Sequence, residues 1–122
     1  MIAVIFEVEP RAGKLDPYLD MAADLKPMLQ DIDGFISVER FQSLTTEGKY
    51  VSLSYWRDED ALIAWRRHAH HTRAQHAGRH EMFADYRLRV ASVMRDYGMY
   101  ERDEAPDEFR VRDAPQSEKM SE

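Results

Sequence analysis

Strand-forming segments with apolar residues on both alternating faces leave this chain few ways to fold. Over Met1–Pro10, Ile2, Val4, Phe6 and Val8 alternate, and Ala3 and Ile5 on the other parity are apolar as well. Phe35–Ser43 and Tyr50–Trp56 read as two further strands. The polar turn Thr45–Lys49, containing Gly48, joins them into a hairpin. In the third strand Val51, Leu53 and Tyr55 alternate with Ser52, Ser54 and Trp56. A fourth strand falls within Phe83–Tyr97, where Tyr86, Leu88 and Val90 alternate with Arg87, Arg89 and Ala91.

Two helices separate these strands. Asp16 is placed to cap the first, with Pro17 at its opening position. Leu15, Tyr18, Leu19, Ala22, Leu25, Leu29 and Ile32 recur at helical spacing. Pro27 is expected to kink or interrupt this helix, and Asp33-Gly34 to end it. Asp58 caps the second helix, with Glu59 and Asp60 at its positive end. Leu62 and Trp65 share a face there, and the helix is expected to run to about Ala77 and stop at Gly78.

The order β-α-β-β-α-β predicts an α+β, ferredoxin-like fold with an antiparallel sheet. Two helices cover only one face of such a sheet. A second copy's sheet is the economical cover for the other, so a homodimer is expected. Residues 1–97 form the predicted domain, and 98–122 a charged tail, disordered or packed on the partner subunit.

Composition narrows the function classes. The chain has 122 residues and no cysteine, which removes disulfide frameworks, thiol catalysis and cysteine-held zinc or iron–sulfur centres. No apolar run reaches membrane-spanning length. Met1–Pro10 carries acids where a leader would carry bases, so a soluble, cytoplasmic protein is expected. The net charge is −6, of which the tail from Gly98 supplies −4 through eight acidic and four basic residues. That balance argues against nucleic acid as a partner, since phosphate neutralisation needs clustered Lys and Arg.

All five histidines fall between His68 and His80, directly after Trp65, together with Arg66, Arg67, Arg73 and Arg79. His68 and His71 stand three apart, and His76 and His80 four apart, so either pair could share a helix face. H-E-x-x-H is absent and no cysteine is near, so no metal site is expected. A histidine here suits a general base, because imidazole titrates near neutrality. Arginine suits stabilisation of an anion, and Arg79, Arg87 and Arg89 are available for that or for ion pairs. Trp65 either fills the core or walls a pocket, and Phe6, Phe41, Tyr55, Trp56, Phe83 and Tyr86 could join it against a flat substrate.

Three segments carry a resemblance. D-G-F-I-S-V-E-R-F (33–41), L-S-Y-W-R-D-E-D-A-L-I-A-W-R-R-H (53–68) and A-Q-H-A-G-R (74–79) resemble the antibiotic biosynthesis monooxygenase family, over about Ile2 to Tyr97. The resemblance implies a dimeric α+β barrel of ferredoxin-like subunits. It also implies, as one activity, a cofactor-independent oxygenase of phenol- or quinol-type substrates. Trp65 would then line the pocket, His76 or His70 would act as base, and Phe6, Tyr55, Arg79, Tyr86 and Arg87 would hold the substrate. A haem-degrading relative is the alternative. That branch pairs a strand asparagine with a helix tryptophan and a histidine ligand, whereas this chain has no asparagine and Glu7 stands on the first strand. The branch using a helix asparagine one turn before the tryptophan is not matched either, because Ala61 stands there. A third alternative is a non-catalytic, ligand-binding dimer. Light scattering at micromolar concentration tests the assembly: a dimer mass is expected, and a well-folded monomer would remove the two-sheet argument.

Overall fold

The computed structural model describes residues 1–73 and 79–110, without the side chains of 70–73, 79–80 and 109–110. The chain divides into two compact units, Met1–Ser92 and Val93–Glu122. In the first unit the order is β1 (Ile2–Pro10), α1 (Leu15–Gln30), β2 (Phe35–Gln42), β3 (Tyr50–Trp56), α2 (Glu59–Arg73), α3 (Arg79–Met82) and β4 (Phe83–Ser92). The strands form one sheet in the order β2-β3-β1-β4, with every neighbouring pair antiparallel. This is the ferredoxin-like α+β arrangement that the periodicity predicts.

Several local features differ from expectation. Helix α1 starts at Leu15 with Lys14 at its cap, and no side chain closes it. Asp16 and Pro17 instead lie in the first turn, where an acid is favourable and a missing N–H costs no internal bond. Pro27 does not interrupt α1, which runs on to Gln30. Pro27 and Ala23, four residues earlier, are both exposed, so the carbonyl left unbonded there can turn to water. The short helix α3 carries no marker in the sequence. It meets the end of β1 through Arg11, whose backbone N–H donates to the Met82 carbonyl at 2.8 Å. The expected stop of α2 at Gly78 lies outside the described residues. So does most of the tail; in its described part Arg102 lies over the Tyr97 ring at 5.0 Å, and the short helix α4 spans Asp107–Arg110.

Asp58 caps α2 as expected, its Oδ1 accepting the Ala61 N–H at 2.9 Å. Arg57 braces the same corner. Its Nη1 and Nη2 donate to the two oxygens of Asp33 at 3.1 Å each, and its Nε donates to Asp58 at 3.0 Å. The Arg57 hydrogen bonds hold the Asp33 carboxyl below the usual carboxylate range. The Ala61 N–H, and then Arg57, do the same for Asp58. These groups are exposed, so their role is to orient the chain rather than to stabilise it much.

The core lies between one sheet face and the helices. Val4, Leu29, Trp56, Ala61 and Leu62 form one buried cluster, and Val8, Tyr18, Met82 and Phe83 a second. The opposite sheet face carries Ala3, Ile5, Val51, Leu53 and Tyr55 around Glu7. Glu7 pairs with Lys49 at 3.0 Å and Arg89 at 2.9 Å. The Lys49 hydrogen bond, followed by the charges of Lys49 and Arg89, holds Glu7 below the usual carboxylate range.

Gly34 joins α1 to β2 where α2 packs closely. Its φ is +94°, and a Cβ built there would stand 2.6 Å from the Ala61 Cβ. Its carbonyl also accepts the Arg57 N–H at 2.7 Å. Gly34→Ala combines left-handed strain with overpacking. It is expected to cost about 2–4 kcal/mol, read from the midpoint of urea unfolding.

Candidate functional site

The face that packs on the helices is set by parity. Val4, Phe6 and Val8 of β1 stand opposite Ser54, Ser52 and Tyr50 of β3 and Val90, Leu88 and Tyr86 of β4. Val38 and Arg40 of β2 stand opposite Ser54 and Ser52. One row across the sheet therefore reads Arg40, Ser52, Phe6, Leu88, passing from cation to hydroxyl to aromatic to aliphatic.

A cavity of about 210 Å³ opens above this row. Its floor is Val4, Phe6, Val38, Arg40, Ser52, Ser54, Tyr86 and Leu88. Tyr18, Met21, Ala22, Leu25 and Leu29 of α1 form one side, and Trp65 of α2, Met82 and Phe83 the rest. Aromatic groups stand at both ends. Trp65 stacks on Trp56 with centroids 6.4 Å apart and planes at 29°, and Phe35 meets Trp56 edge-on at 5.2 Å. At the other end Phe6 lies 5.6 Å from Tyr86 and 5.9 Å from Phe83, which meets Tyr18 at 5.6 Å. Trp56 is fully buried, and its Nε1–H donates to Ser54 Oγ at 2.9 Å.

Four of the aromatic residues named as pocket candidates line it: Trp65, Phe6, Phe83 and Tyr86. Trp65 also packs against the core cluster. Tyr55 and Arg87 do not join them. Tyr55 pairs with Ala3 and Arg87 with Glu7, on the opposite sheet face. The apolar parity of β3, which carries Tyr55, faces away from the helices, while its serines and Trp56 face them. Arg89 shares Arg87's side and is bonded to Glu7. His70 lies in α2 and Arg79 opens α3, with their side chains outside the described residues. His76 lies outside the described residues altogether. His68 is exposed, its ring 6.0 Å from that of Trp65.

Arg40 was not singled out from the sequence, and the reason is local. Counting alternate residues from Phe35 places Phe41 inward and Arg40 outward. A bulge between Phe35 and Ser37 inverts that count. Phe35 and Val38 both pack on the helix side, Phe41 falls on the far face, and Arg40 enters the cavity. Arg40 is the one ionic side chain among the described lining residues, and its buried Nε has no hydrogen-bond partner there.

A cavity between a four-stranded antiparallel sheet and its two long helices, walled by a helix tryptophan, agrees with the resemblance in the motifs. The antibiotic biosynthesis monooxygenase family model matches residues 1–77, and the chain belongs to that family. Among individual proteins, it is 48% identical over 93 residues to a jasmonate monooxygenase of Pyricularia oryzae, covering 76% of this chain and 43% of that protein. The chain thus spans less than half the length of that relative. It is 33% identical over 78 residues to the uncharacterized protein YqjZ of Bacillus subtilis, covering 64% of this chain and 67% of that one. A haem-degrader from Mycobacterium tuberculosis shares the fold with a TM-score of 0.65 at 20% identity, over 80% of this chain and 100% of that one. Among the described residues no helix is long and apolar enough to cross a membrane.

The bond between Trp56 and Ser54 gives a direct test of the wall. Ser54→Ala leaves the buried indole N–H unpaired and is expected to cost about 1–3 kcal/mol. The measurement is urea unfolding followed by tryptophan fluorescence.

Proposed function

We propose that the protein is a cofactor-independent monooxygenase that oxidises a small, electron-rich ring compound of phenol or quinol type in this cavity. The observation that carries the reading is the cavity itself, mostly apolar, with aromatic groups at both ends and walled by Trp65. Its volume of about 210 Å³ suits one small ring system, below the ~300–1,000 Å³ of sites for larger ligands. The absence of an asparagine from the chain counts against the haem-degrading alternative.

The chemistry asks little of the protein. A base removes the acidic proton of the substrate, and the resulting anion is electron-rich enough to reduce dioxygen. One oxygen atom stays on the ring carbon as a carbonyl. The other leaves as water with two hydrogens, one from the oxidised ring carbon and one from the hydroxyl that the base ionised. His76 or His70, in the segment that follows Trp65, supplies the base. Phe6, Trp65 and Tyr86 hold the ring, and Arg79 remains a candidate to bind an anion. The likeness to a protein named for jasmonate supports oxygen insertion and adds jasmonate to the compounds worth testing. The mixed apolar face around Tyr55 supports a homodimer as the working form.

Oxygen uptake with a panel of quinols, anthrones and jasmonate tests the reading. Native protein is expected to turn over at least one compound, with His76→Ala or His70→Ala lowering kcat by about 100-fold or more. Trp65→Leu is expected to act mainly on KM. No uptake with any member would favour a non-catalytic ligand-binding dimer, and equal rates in both histidine variants would remove the base. Haem titration is expected to leave the Soret band unshifted.

A further inference from the structure

The cavity holds a charge that its own walls do not answer. Arg40 makes no hydrogen bond or ion pair with any described residue, and its Nε is buried. Among the described residues no Asp or Glu lines the cavity beside it. The cavity's other described lining residues are apolar, aromatic or hydroxylic, so the guanidinium is the one ionic group among them, at the β2 end. Arg40 is half-buried, and a buried N–H donor left without a partner costs free energy that a ligand's acceptor would recover. A residue kept at such a cost points to a ligand that completes it.

The geometry restricts that ligand. Arg40 is directly opposite Ser52, with Ser54 opposite the neighbouring Val38. Ser54 Oγ accepts the Trp56 indole N–H, which leaves its own proton available to donate. Ser52 Oγ is next along the floor. A planar fork of N–H donors with hydroxyls alongside matches the two oxygens of a carboxylate better than the single oxygen of a phenolate. Beyond Ser52 the same row turns to Phe6 and Leu88, so the remainder of the ligand must be apolar.

We infer that Arg40 makes the cavity selective for small ring compounds that bear a carboxylate, received at the β2 edge while the ring lies towards Phe6 and Trp65. The inference takes the cavity to be the substrate site, as proposed above, and narrows the substrate to an amphipathic acid. Arg40 is then a specificity residue that orients the ring. The base is a separate group.

Calorimetric titration tests this without any oxygen chemistry. Benzoate, phenylacetate, phenylpropionate and cyclohexylacetate are each compared with the primary amide of the same skeleton. Native protein is expected to prefer at least one acid over its amide by about tenfold or more, the size of a charge-assisted bond. Arg40→Met should remove that preference while leaving the affinity for the amide unchanged, and Arg40→Lys should keep part of it. The melting temperature of Arg40→Met should match or exceed the native value, since the variant loses an unpaired buried donor. A native protein that prefers no acid in the panel would overturn the inference. So would an Arg40→Met protein that keeps the native preference, or one that loses affinity only for an ionised nitrophenol. Because binding is read directly, an absent oxygenase activity with an intact acid preference would sink the oxygenase reading alone. Uptake of oxygen with neutral quinols, undisturbed by Arg40→Met and with no acid preference, would sink this inference alone.

Discussion

Burial of the Trp56 indole ties the sheet to α2. The side chain ends β3 on the helix-facing parity, is 1% exposed, and sits among Val4, Leu29, Ala61 and Leu62. Removing an indole of this size from water is worth about 4–6 kcal/mol by area. Its polar atom is satisfied within its own strand by Ser54, so the burial leaves no orphaned donor. Trp65 then stacks upon it, and the cavity wall inherits its position from the core. The corner below is held by Gly34, Arg57 and Asp58, which set where α2 begins and hence where Trp65 stands on it. Rigid packing behind a ligand-facing ring keeps that ring in one orientation without a hydrogen bond of its own.

Much of this was legible in the sequence because the signals were local. The span of β3, the acid cap at Asp58 and the positive-φ turns at Gly34 and Gly48 each follow from a few adjacent residues. The pairing of helix tryptophan and aromatic floor was legible as well, through Trp65, Phe6 and Tyr86. Facing was harder. In β3 the apolar residues Val51, Leu53 and Tyr55 look like the buried set, yet Ser52 and Ser54 face the helices. A cavity, rather than solid core, lies above them, and Ser54 there pairs with the Trp56 indole. In β4 the helices leave the inner positions Tyr86, Leu88 and Val90 about half exposed, so burial and parity part company there. In β2 the bulge after Phe35 inverts the count. Alternation along a strand fixes two faces but cannot say which one a bulge has exchanged. The start of α1 moved for a simpler reason: a proline fits any position of the first turn, so Asp16-Pro17 marks the turn and not its first residue.

Membership of the antibiotic biosynthesis monooxygenase family places oxygen chemistry within reach of this scaffold, but the scaffold is a container more than a catalyst. A substrate that donates its own electrons needs shape, dryness and a proton acceptor, and the first two come from residues on the strands and on α1. On the proposed reading the acceptor belongs to a different part of the chain, the histidine-rich stretch after Trp65. Pocket and proton transfer are therefore separable in the sequence. One can drift to accept a new ring while the other is retained.

The bulge in β2 carries this separation further. It sits at the edge of the sheet, where one inserted or deleted residue disturbs a single neighbouring strand. The β2–β3 turn fixes Arg40 opposite Ser52, and the extra residue is what lets Phe35 share the helix side with it. The bulge thus meets two demands on one strand, an aromatic ring against Trp56 at one end and a cation on the cavity floor at the other.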